Sequence, residues 1–221
     1  MKLKVCGLTK LNQIQELIFL NVDFLGFIFY EKSPRYVLNH LSLEDISTIN
    51  HQGKVGVFVN ESLEKILEIS EKANLNFIQL HGDEDENFVS ELKKKLKPEI
   101  GIIKVIRIGS WAMEAVSKIQ KTINKQLKTS NYILFDTDSK AFGGTGKKFE
   151  WNILNEIEIP LPYFLSGGIS EENTNDINIL NQKPFALDIN SKFEIDAGVK
   201  DINRIKKFKE FYTTVSPEGT T

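Results

Sequence analysis

Residues 55–81 read VGVFVNESLEKILEISEKANLNFIQLH, and their pattern decides the fold. Val55–Asn60 is a short β-branched and aromatic run that ends on a polar residue, and Phe77–His81 is another. Between them, SLEKILEISEKAN places Leu63, Ile66, Leu67 and Ile69 near one helical stripe. Ser62 stands where its hydroxyl can accept from an unpaired backbone N–H and cap the first turn. A parallel crossover needs a connection of about this length, so the two strands are expected to run parallel.

The alternation extends both ways. Lys2–Leu8, Phe24–Phe29, Ile102–Ile108, Tyr132–Asp136, Tyr163–Ser166 and Phe185–Ile189 are further β-rich runs, and DENFVSELKKKL is another helical pattern. Eight βα units in 221 residues predict an α/β fold, a single-domain (β/α)8 TIM barrel over residues 1–221 with 213–221 as a frayed tail. An open doubly wound sheet is the rival arrangement. The connection from Ser110 to Ser130 is long, and its role is open.

Composition narrows the function. Hydrophobic residues make up 41% and charged residues 26%, ordinary for a globular protein. The net charge of −2, from 28 basic and 30 acidic residues, argues against nucleic-acid binding. No apolar run is long enough to span a bilayer, and MKLKVCGLTK has no secretory apolar stretch, so no membrane association is expected. One cysteine, Cys6, cannot form an intramolecular disulfide, which suits a reducing cytoplasm. The three histidines are scattered, and no metal-ligand spacing is present.

In a barrel, function gathers at the C-terminal strand ends and the loops that follow. Those ends hold Cys6, Phe29 followed by Arg35, Asn60, His81, Arg107, Asp136, Ser166 with Gly167 and Gly168, and Asp188. Cys6 shares a strand face with Lys4, whose ammonium would favour the thiolate, although a buried structural thiol is the commoner role. Asp136 is a carboxylate at an apolar strand end, costly to bury unless paired or protonated. It is a candidate general acid or a carboxylate accepting backbone N–H bonds, and Asp138 shares its parity as a rival. Gly167-Gly168 after strand seven and Asp188-Ile189-Asn190-Ser191 after strand eight fit the phosphate site of such barrels. Arg35 can pair with a carboxylate or lie in solvent, and His81 can bond substrate or cap a turn. Gly143-Gly144-Thr145-Gly146 with Lys147-Lys148 is not a P-loop and reads as a lid or a plain flexible loop.

Taken together, KVCGLT, GFIFYEKSPRY, VGVFVNE, IQLHGDE, LFDT…GGTGKKFEW, FLSGGI and PFALDIN resemble the phosphoribosylanthranilate isomerase family of tryptophan biosynthesis, from residue 4 to about residue 190. The resemblance implies an Amadori rearrangement of an aminoaldose phosphate to an aminoketose phosphate, with no metal or organic cofactor. By motif match, Cys6 is the general base and Asp136 the general acid. Arg35 holds the anthranilate carboxylate, and Gly167 and Gly168 bind phosphate. His81, Asp188, Asn190 and Ser191 are expected to line the substrate, a small phosphorylated molecule, in a monomer. Strand eight departs from the family's D-V-S-S-G-like segment: Lys192 stands where a glycine is expected, and it either supplies charge or points to solvent. Other readings are a ketose-phosphate epimerase, which would want metal ligands, and an indole-glycerol-phosphate synthase relative, which would want catalytic lysines at inner strand ends. A silent phosphometabolite-binding barrel is a third.

Overall fold

Each strand read from the sequence forms, and the strands pair in chain order until the ring closes. The computed structural model of the protein describes residues 1–109, 113–138 and 149–215, leaving aside the side chains of 113–115 and 212–215. The strands are β1 (Lys2–Val5), β2 (Phe24–Ile28), β3 (Lys54–Phe58), β4 (Phe77–Leu80), β5 (Gly101–Ile108), β6 (Tyr132–Thr137), β7 (Tyr163–Leu165) and β8 (Ala186–Ile189). They form a closed parallel barrel in the order β1 to β8, with β8 back against β1. The open doubly wound alternative is thereby excluded.

Helices α1 (Leu11–Phe19), α2 (Leu43–Thr48), α3 (Leu63–Lys72), α4 (Glu86–Lys95), α5 (Met113–Gln126) and α6 (Ile202–Val215) flank the strands. In α3 the Ser62 hydroxyl accepts from the Lys65 N–H at 3.3 Å, and Leu63, Ile66 and Ile69 are buried. The long fifth connection is mostly α5. Two connections depart from simple βα alternation: the described residues after β6 and β7 form 3-10 turns, Trp151–Glu156 and Thr174–Ile179. Their sequences, WNILNE and TNDINI, are rich in Asn and β-branched residues, which disfavour α-helix. Helix α6 runs into the segment expected to fray, and residues 216–221 lie outside the described residues.

The period of two sorts each strand into an inner and an outer face. Outward residues such as Leu3, Leu25, Ile78, Phe135 and Leu187 join the large core under the helices. Inward apolar residues, among them Phe24, Val55, Val57, Ile103, Val105, Leu134, Phe164 and Ala186, form a separate core with Cys6. At the N-terminal end Phe24, Phe77, Tyr132, Phe164 and Phe185 meet mostly edge to face, 5.1–6.1 Å between centroids, and floor the barrel. Polar inward residues lie above them. Gly26 on β2 faces Cys6: a Cβ there would stand 2.8 Å from Sγ and 2.9 Å from Cα.

Two short strands follow β8. The hairpin of β9 (Glu194–Asp196) and β10 (Val199–Lys200) places two charged residues beside the mouth.

Candidate active site

Strand parity and ring closure bring together residues far apart in the chain. Cys6 follows β1, and its N–H donates to the Ile189 carbonyl at 2.9 Å, extending the pairing with β8. His81 follows β4, Asp136 lies on β6 and Asp188 on β8, and all four side chains are buried. Cys6 and Asp136 stand across the mouth, with β7 and β8 between them.

A buried polar chain crosses this space. Lys4 Nζ lies 3.0 Å from Asp188 Oδ2 and donates to Gln79 Oε1 at 2.8 Å. Gln79 Nε2 lies 3.0 Å from His81 Nδ1. His81 Nε2 lies 3.3 Å from Asp136 Oδ2, close but off the hydrogen-bond line. Asp136 Oδ1 accepts from the Thr137 N–H at 2.8 Å. Asp188 Oδ1 is buried with no hydrogen-bond partner. Leaving such an acceptor unpaired costs about 1–3 kcal/mol.

The charges act on one another. Burial raises the Cys6 thiol above its ordinary range; Lys4 and Lys200 pull it down, and Asp188 adds to the rise. The ammonium expected to favour the thiolate is present, but burial outweighs it. Burial opposes the charge of Lys4, yet Asp188 and Cys6 outweigh burial and hold the ammonium above its usual range. Burial also raises Asp188, against the pull of Lys4. The pair is therefore one-sided: Lys4 keeps its proton, and Asp188 is the member that gives way as pH falls.

Arg35 comes to the mouth beside β1. Its Nε lies 3.0 Å from both Glu194 carboxylate oxygens, and its Nη2 donates to Oε2 at 2.6 Å. Lys200 Nζ donates to the same carboxylate at 2.6 Å and to Asn190 Oδ1 at 2.8 Å. Burial would raise Glu194, but Arg35 and Lys200 more than offset it and hold the carboxyl below its usual range. One side of the Arg35 fork is thus committed within the protein, and the Nη1/Nη2 edge is what it offers outward. Gly7 makes the approach possible: its φ is +75°, and a Cβ would stand 2.7 Å from Arg35 Cδ.

Gly167 and Gly168 both take the left-handed conformation, φ 85° and 73°. The loop they open lies beside the one after β8, because β7 pairs with β8. Ser191 starts a 3-10 turn in that loop and Lys192 is exposed. Asn190, expected near substrate, has its side-chain oxygen occupied by Lys200. Asp138 is 59% exposed with Arg107 Nε at 4.0 Å, unlike buried Asp136. Lys104 faces outward, bonded to Glu84 at 2.7 Å, so it is no inner catalytic lysine. The glycine-rich 143–146 stretch and Lys147-Lys148 lie outside the described residues. Among those described, no three His, Cys, Asp or Glu groups gather as a metal site, and no helix is long and apolar enough to cross a membrane.

Gln79, Glu194 and Lys200 were not among the residues singled out from sequence. Gln79 had a signal, its shared parity with His81. Glu194 and Lys200 had none, because a two-strand hairpin carries them back to the mouth.

Known proteins resemble the chain over nearly its full length. The profile of the family described as N-(5'phosphoribosyl)anthranilate (PRA) isomerase matches residues 3–210. The N-(5'-phosphoribosyl)anthranilate isomerase of Parabacteroides distasonis is 37% identical, over 94% of this chain and 91% of that protein. The enzyme of the same name from Caldanaerobacter subterraneus subsp. tengcongensis is also 37% identical, over 95% and 96%. A solved structure of phosphoribosyl anthranilate isomerase in complex with reduced 1-(o-carboxyphenylamino)-1-deoxyribulose 5-phosphate is 31% identical. Its TM-score is 0.70, over 94% of this chain and 96% of that one.

Proposed function

The chain belongs to the N-(5'-phosphoribosyl)anthranilate isomerase family, and from that premise we propose that Cys6 and Asp136 divide its two proton transfers. The protein is an isomerase of tryptophan synthesis. It converts N-(5'-phosphoribosyl)anthranilate to 1-(2-carboxyphenylamino)-1-deoxyribulose 5-phosphate. Asp136 protonates the furanose ring oxygen; the C1–O bond breaks and the nitrogen lone pair forms a Schiff base. Cys6 then takes the C2 proton, and the C–H electrons give an enolamine that tautomerises to the ketone. Nothing is gained or lost overall, so one acid and one base suffice.

The observation that carries this reading is a buried thiol and a buried carboxylate on well-separated strands of one mouth. A sugar between them would meet base on one side and acid on the other. Asp188 Oδ1 supports a contact to a ribose hydroxyl, since it needs a donor. Gly167, Gly168 and Ser191, on adjacent loops, take the phosphate, and His81 borders the acid. Arg35 meets the anthranilate carboxylate with its Nη1/Nη2 edge. The test is a fluorescence assay of the purified protein on freshly made phosphoribosylanthranilate, in which an unchanged signal defeats the reading.

Arg35→Met is expected to raise KM more than it lowers kcat, because the charged contact forms in ground state and transition state alike. Losing such a contact costs about 2–5 kcal/mol when it is buried. Steady-state kinetics showing an unchanged KM with a reduced kcat would contradict this.

The need for a free thiol supports a reducing, cytoplasmic setting. We read the protein as a monomer in solution; sedimentation velocity giving twice the 25.2 kDa chain mass would replace that with a dimer.

A further inference from the structure

Gln79 sits one layer below His81 on the inward face of β4 and is almost wholly buried. Three contacts fix what its amide does. Lys4 Nζ donates to Oε1 at 2.8 Å, Nε2 lies 3.0 Å from His81 Nδ1, and His81 Nε2 lies 3.3 Å from Asp136 Oδ2. An ammonium has hydrogens and no acceptor. The amide must therefore turn its oxygen to Lys4, since the flipped amide would set NH2 against NH3+. With the oxygen so placed, Nε2 faces Nδ1 with a hydrogen, and Nδ1 must receive it with a lone pair. The ring hydrogen is then on Nε2, the nitrogen that faces Asp136.

We propose that Gln79 is a positioning residue which, itself oriented by Lys4, holds His81 in the Nε2–H tautomer and so presents an N–H to Asp136. The proposal rests on Asp136 being the acid. Two consequences serve that acid. A protonated Asp136 finds no lone pair on His81, so its proton is left for the substrate ring oxygen. Once the proton has gone, Thr137 N–H donates to Oδ1 at 2.8 Å, and the His81 N–H stands 3.3 Å from Oδ2, needing only to come into line to serve the second oxygen. The opposite tautomer would capture the proton first and face the carboxylate with a lone pair afterwards. The 3.3 Å approach fits a contact that tightens when substrate is in place.

The groups around His81 come from five strands. Lys4 faces it from β1, Gln79 from its own strand, Asp136 from β6 and Asp188 from β8. On β5, Arg107 is the strand partner of Asp136 but pairs with Asp83, with Asp138 4.0 Å away. None of these other groups bonds Nδ1, so Gln79 alone among the described residues sets the tautomer.

The test is NMR of the full chain labelled with 15N-histidine, the His81 signal being assigned by its loss in His81→Asn. Wild-type protein at neutral pH is expected to show a hydrogen-bearing Nε2 and a bare Nδ1. In Gln79→Glu a carboxylate accepts from both Lys4 and the ring, so Nδ1 gains a hydrogen. With it, kcat is expected to fall about tenfold or more while KM moves little. Gln79→Met, of similar size, frees the ring to populate both tautomers and serves if the glutamate variant does not fold. A hydrogen on Nδ1 in the wild type overturns the proposal. So does an unchanged tautomer, or an unchanged kcat, in the folded variants. Failure of the acid assignment is seen separately, as full turnover in Asp136→Asn with the wild-type NMR pattern intact.

Discussion

Cys6→Ser is expected to lower turnover by several orders of magnitude while the fold stays intact. The substitution is nearly isosteric, and the space that Gly26 leaves accepts the smaller oxygen without strain. What changes is basicity at working pH, because a hydroxyl ionises far less readily than a thiol. Lys4 and Lys200 pull on the group at position 6, but they do not overcome burial even for sulfur. The pH profile carries the same signature. As the proposed base, Cys6 would work as the thiolate, and burial lifts the thiol above its ordinary value of 9.0. Thus kcat/KM of the wild type should climb with pH through the alkaline range, wherever Cys6 deprotonation limits it, and the serine variant should lose that limb. Near-normal turnover in Cys6→Ser, with an unaltered melting transition, would remove Cys6 from the mechanism.

Asp136→Asn is expected to come close to abolishing activity, and Asp138→Asn to be much milder. Asparagine keeps the size of Asp136 and can still accept the Thr137 N–H, but it delivers no proton to a ring oxygen. The loss should appear in kcat, with affinity and stability little changed. A general acid contributes about 10²–10⁴-fold, so a fall within or beyond that range is expected. Asp138 is exposed at the rim, two residues beyond Asp136, with Arg107 Nε 4.0 Å away. Kinetics of the two single variants decide the matter: if Asp138→Asn does more damage, the acid is Asp138.

The barrel was legible in the chain because its strands are β-rich runs punctuated by turn residues, and the rule that function gathers at strand ends singled out Cys6, His81, Asp136 and Asp188, whose side chains the closed ring buries at the mouth. Helix α3 was legible down to its Ser62 cap. The turns after β6 and β7 were harder, since a crossover is demanded by topology but an α-helix is not, and Asn-rich segments satisfy the one without the other. Arg35 was singled out from the sequence, but its partner Glu194 was not. Glu194 is distant in sequence, lies in no motif and reaches Arg35 only through a hairpin whose course depends on the closed ring. Lys200 was hidden for the same reason. The outcome at Cys6 was likewise beyond a pattern of letters: Lys4 is visible two residues away, but how much burial opposes it is a property of the packed barrel.

The missing side chain at Gly26 has a bearing on descent. The Cys6 sulfur and that glycine lie on adjacent strands, so close that even one added methyl group would collide with the thiol and with the Cys6 backbone. A side chain at 26 would have to displace the thiol and the β1 backbone together. A lineage that keeps the cysteine has only one residue open to it at position 26, whereas one that lost the thiol would still meet the β1 backbone there, 2.9 Å away at Cα. Glycine at 26 thus answers to the β1 backbone as well as to the sulfur, and the need for it outlasts the thiol.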